Sequence, residues 1–60
     1  MPKEIFTEEM RQQLKDKGYA AVVLQVMPQF GRVADEIASR HRTAHAAHKR
    51  ADVNQRVVVL

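Results

Sequence analysis

Seven side chains between Arg40 and Arg50 could hold an anion, a metal or a proton: Arg40, His41, Arg42, His45, His48, Lys49 and Arg50. If the segment is helical, His41, His45 and His48 fall within a sector of about 60°, because steps of four and three residues return to one face. Two imidazoles one turn apart can chelate zinc, nickel or copper. The chain has no cysteine, and no acid lies between Ser39 and Ala51 to complete such a set. No metal and no cofactor is therefore assigned. On the same wheel the histidines continue Phe30, Val33, Ile37, Ala44 and Ala51, so the primary reading is an interface that tapers from apolar to polar. A pH-responsive contact is the lesser reading.

The cations point elsewhere. On that helix Arg42 and Lys49 share one flank, Arg32 and Arg50 the back, and Arg40 the other flank. A basic helix of this kind can lie along a phosphate backbone, each contact adding salt-dependent affinity. Arg32, Arg40, Arg42, Lys49 and Arg50 are the candidate nucleic-acid contacts. The charge distribution agrees. Residues 1–31 carry Lys3, Arg11, Lys15 and Lys17 against Glu4, Glu8, Glu9 and Asp16, while residues 32–60 hold the whole net charge of +3. Such asymmetry speaks for an anionic partner. A helix-turn-helix is disfavoured, since Ser39 to Ala44 offers no glycine or proline for its turn.

Catalysis finds no foothold. Glu8 and Glu9 are adjacent on a helix and diverge. Ser39 and Thr43 neighbour His41, yet a nucleophile–base set needs a third orienting group and a cleft. There is no glycine-rich phosphate loop. The expectation is a non-enzyme.

The elements that would position these residues read as all-α. Thr7 is a good N-cap, Glu8 and Glu9 suit the positive end of a helix dipole, Lys15 and Lys17 the negative end, and Gly18 the left-handed residue beyond it. With Phe6, Met10 and Leu14 at four-residue spacing, these signals predict a helix over about 7–17. Val22, Val23 and Val26 favour a strand by propensity. The wider three- and four-residue pattern through Val23, Val26, Met27, Phe30, Val33 and Ile37 instead predicts a helix over about 20–27. A bend near Pro28–Gly31 follows, then a longer helix over about 32–50. Val57 to Leu60 is expected as an extended or short helical tail, either on the core or pairing with a partner's edge. Val23, Met27, Phe30, Val33, Ile37, His41, His45 and His48 form the candidate protein interface.

Sixty residues make one domain, which hides only about 60% of its unfolded surface. A homodimer or higher oligomer is expected to complete so thin a core. Met1 to Glu4 does not resemble a signal peptide, and the apolar run from Tyr19 to Met27 is too short to cross a bilayer. Absence of cysteine suits a reducing, cytoplasmic setting. The reading is a small regulatory protein that binds nucleic acid as a dimer. The alternative is an adaptor or inhibitor presenting an apolar helix face to a partner protein, and a histidine-based metal or pH sensor is a minor third.

Overall fold

A computed structural model of the chain describes residues 4–28 and 31–60. Helix α1 (Glu8–Asp16) is followed by strands β1 (Ala21–Gln25) and β2 (Ile37–His41), helix α2 (Ala44–Arg50) and strand β3 (Gln55–Val59). The three strands form one sheet in the order β2–β1–β3, and β1 is antiparallel to both neighbours. The protein is thus a mixed α/β fold, and the all-α expectation is overturned.

β1 explains the first error. Ala21, Val22, Val23, Leu24 and Gln25 are all buried, because a helix covers each face of the central strand. Val22 and Leu24 meet Leu14 and Ile37, flanked by Phe6, Met10, Tyr19, Val58 and Leu60. Ala21 and Val23 meet Ala47, flanked by Ala38, Ala44, Ala51 and Val57. A strand buried on both faces shows no apolar–polar alternation, so its sequence reads like a buried helix. The expected helix over 20–27 is this strand.

The expected helix over 32–50 is a loop, a strand and a short helix. Gly31 and Asp35 take left-handed backbone, with φ of 80° and 64°, and Asp is among the side chains that tolerate it. The Asp35 amide donates to the Gln25 carbonyl at 2.7 Å, and the Gln25 amide to the Glu36 carbonyl at 2.9 Å. These bonds turn the chain back along β1. A register shift opposite Val23 and Leu24 inserts Ala38 as a bulge, which blurs the period-2 signal in β2 further. α2 then begins afresh at Thr43, whose hydroxyl accepts from the Ala46 amide at 3.1 Å.

Val57, Val58 and Val59 form no helical turn; they lie in β3, paired with β1 in register with Val23, Val22 and Ala21. α1 does begin at the Thr7 cap and ends before Gly18, whose φ is 92°. The expected bend near Pro28–Gly31 lies partly outside the described residues, and Phe30 wholly so. Among the described residues no helix is long and apolar enough to cross a membrane.

Candidate nucleic-acid interface

α2 owes its place to small residues. Ala44, Ala47 and Ala51 face the sheet and let the helix backbone approach Ala21 and Val23 closely. Of its other positions, Ala46 is half-buried and His45, His48, Lys49 and Arg50 are exposed. His48, Lys49 and Arg50 occupy the last turn, where cations oppose the negative end of the helix dipole.

The five candidate cations divide into two groups. Arg32 pairs with Glu36 at 2.6 Å, and Arg40 pairs with Glu4 across the sheet edge. Arg42, Lys49 and Arg50 form no ion pair among the described residues. Arg42 is instead held by uncharged partners. Its guanidinium lies 4.9 Å from the centre of the Tyr19 ring, and Nη1 donates to the Lys17 carbonyl at 3.3 Å. This contact brings the end of α1 to the entrance of α2, so Lys17 and Arg42 adjoin. The pairing with Tyr19 had no signature in the sequence, since the two residues meet only through the fold.

The histidines do not share a helix face. His41 ends β2, with Nε2 2.7 Å from the Ser39 hydroxyl, whereas His45 and His48 stand exposed on α2. A bonded serine and histidine invite a catalytic reading. No hydrogen bond joins His41 to a carboxylate among the described residues, so the orienting member is missing. Nor do three His, Asp or Glu side chains gather there in a metal-binding arrangement.

The candidate protein-interface residues are scattered as well. Val23 is 1% exposed and Ile37 8%, both inside the core. Val33 is half-buried, and Met27 is 59% exposed at the end of the sheet where Val26 and Val53 also stand out. On the α1 side a cleft of about 280 Å³ opens between α1 and β2, lined by Glu4, Met10, Gln13, Leu14, Lys17, Tyr19 and Arg40. Its lining mixes apolar Met10 and Leu14 with charged Glu4, Lys17 and Arg40.

No protein-family model matches the chain, and neither the curated proteins nor the solved structures contain a match.

Proposed function

We propose that the chain is a small non-enzymatic protein of a reducing, cytoplasmic setting that binds nucleic acid through its phosphates. Arg42, Lys49 and Arg50 make the contacts, with Lys17, His45 and His48 beside them. The observation that carries this reading is that Arg42, Lys49 and Arg50 are exposed and in no ion pair among the described residues, on and around a helix free of acids. Arg32 and Arg40 are left out because Glu36 and Glu4 already offset their charge. Contacts of this kind position a backbone and carry no base preference.

Fluorescence anisotropy with labelled single- and double-stranded DNA and RNA tests the proposal. Three duplex phosphate contacts give a slope of log K against log salt of about −2.7. Replacing Arg42, Lys49 and Arg50 together by alanine should abolish the complex at all salt concentrations tried. Absence of any complex in low salt would sink the reading.

The adaptor reading ranks second because Val23 and Ile37, the centre of its apolar face, are used inside the core. What favours it is the exposed group Val26, Met27 and Val53. Co-purification of one stoichiometric protein partner, free of nucleic acid, would raise it above the first.

A further inference from the structure

The two edges of the sheet are treated differently. The β2 edge is covered at its start by the chain's own Glu4–Phe6: the Ile37 amide donates to the Glu4 carbonyl at 2.8 Å and the Phe6 amide to the Asp35 carbonyl at 2.9 Å. Nothing among the described residues covers β3. The Leu60 amide donates to Ala20 and the Val26 amide to Asn54, which fixes the ladder phase. Arg56, Val58 and Leu60 direct their amides and carbonyls at β1; Gln55, Val57 and Val59 direct theirs outwards.

Two of these outward groups are already bonded within the chain. The Gln55 amide donates to the Asp52 carbonyl at 3.0 Å, and the Val59 carbonyl accepts from Arg11 Nη1 at 3.2 Å. The groups left are the Gln55 carbonyl, both Val57 groups and the Val59 amide. That set is self-complementary about Val57. If two copies pair antiparallel with Val57 opposite Val57, the central residues exchange both bonds, and each Val59 amide meets the other copy's Gln55 carbonyl. The two satisfied groups, the Gln55 amide and the Val59 carbonyl, fall opposite each other, so no free group faces a blocked one. Sliding two residues either way sets a Val57 group against one that is taken. Arg56, the only charge in β3, falls opposite Val58 and not opposite its own copy.

We infer that the β3 edge docks a second copy of this chain, forming a continuous six-stranded sheet centred on Val57. The inference goes beyond the nucleic-acid reading and does not depend on it. The twofold axis stands perpendicular to the sheet, so both α2 helices lie on the same face. α2 packs against all three strands and is centred on β1. At a strand spacing of about 4.8 Å the two helix axes then run about 14 Å apart, too far to pack at 8–10 Å. α2 therefore adds no helix–helix contact to the dimer. Such an interface falls well below about 1,200 Å², the range of weak and transient contacts.

Light scattering from the nucleic-acid-free chain, carried up to about 1 mM because contacts of this size are weak, should show the mass rising to twice 6.9 kDa. Val57→Pro removes the central outward amide and leaves the β1 ladder intact; it should stay monomeric with an unchanged circular dichroism spectrum. Because that variant could unfold, amide exchange of the native chain provides a second reading. Val57 and Val59 amides should gain protection with concentration, while the Val58 amide stays protected throughout. A monomer at the highest concentration overturns the inference. So does a doubled mass without added protection at Val57.

Discussion

The Arg42 guanidinium sits in a notch made by Gly18, with the Tyr19 ring 4.9 Å away and the Lys17 carbonyl as its acceptor. A Cβ placed on Gly18 would lie 2.9 Å from Arg42 Nη1. The same glycine has φ of 92°, a backbone that side chains with a Cβ rarely adopt. One residue therefore ends α1 and makes room for the cation beside α2.

Gly18→Ala is expected to be destabilising through its backbone, whereas the Arg42 tip, the end of a flexible exposed side chain, can shift aside. The left-handed conformation alone costs about 1–2 kcal/mol, which for a domain of this size lowers Tm by at least about 4 °C. Thermal melts monitored by circular dichroism measure it. A variant as stable as the native chain would show that the backbone there is not fixed.

Arg42 can be followed without a label, because Tyr19 is the chain's only tyrosine and tryptophan is absent. Arg42→Ala should alter Tyr19 emission and lower stability by about 0.5–1 kcal/mol, the usual worth of an exposed cation over an aromatic ring. Arg42→Lys keeps the charge and should retain more nucleic-acid affinity than alanine does. Identical affinities for the two would remove Arg42 from the contact surface.

Ala47 is fully buried between α2 and β1. Ala47→Leu forces the helix off the sheet and is expected to cost about 1–3 kcal/mol. Urea denaturation would register this as a lower midpoint. The same change at His48, which is exposed, should leave the midpoint nearly where it was.

Gln25 is buried with a partner at each side-chain polar atom: Nε2 donates to the Met27 carbonyl at 2.9 Å, and Oε1 accepts from Gln55 Nε2 at 3.2 Å. Gln55 Oε1 in turn accepts from the Asp52 amide at 3.0 Å. Gln55→Ala removes a partner from a buried oxygen and should cost about 1–3 kcal/mol. Replacing Gln25 and Gln55 together by leucine should cost less than the two single changes added, and a double-mutant cycle checks it.

How far the sequence could be read depended on where each signal came from. α1 announced itself because its cap, its charges and its period are all local to Thr7–Gly18. β1 and β2 did not, because a strand's identity here is set by what covers it. Val22 to Leu24 lost alternation to two covering helices, and Ile37 to His41 lost it to a bulge. Thr43 was the legible sign that went unread: it caps α2 as Thr7 caps α1. Of the candidate cations, their number and the acid-free stretch were visible, but that Glu4 offsets Arg40 was not, because the two are 36 residues apart in sequence; Arg32 and Glu36, four residues apart, pair locally within the β1–β2 connection.

The position of β1 between β2 and β3 also dictates how the chain must assemble. β1 and β2 meet across a connection of modest length, but β1 and β3 pair only after β2 and α2 have been laid down between them. Half the sheet thus waits on contacts distant in sequence, whose loop-closure entropy must be met before they stabilise anything. Until β3 arrives, Val22 and Leu24 present one bare strand edge to other molecules. Folding in a single cooperative step, with the two ladders appearing together, is what protects that edge from aggregation.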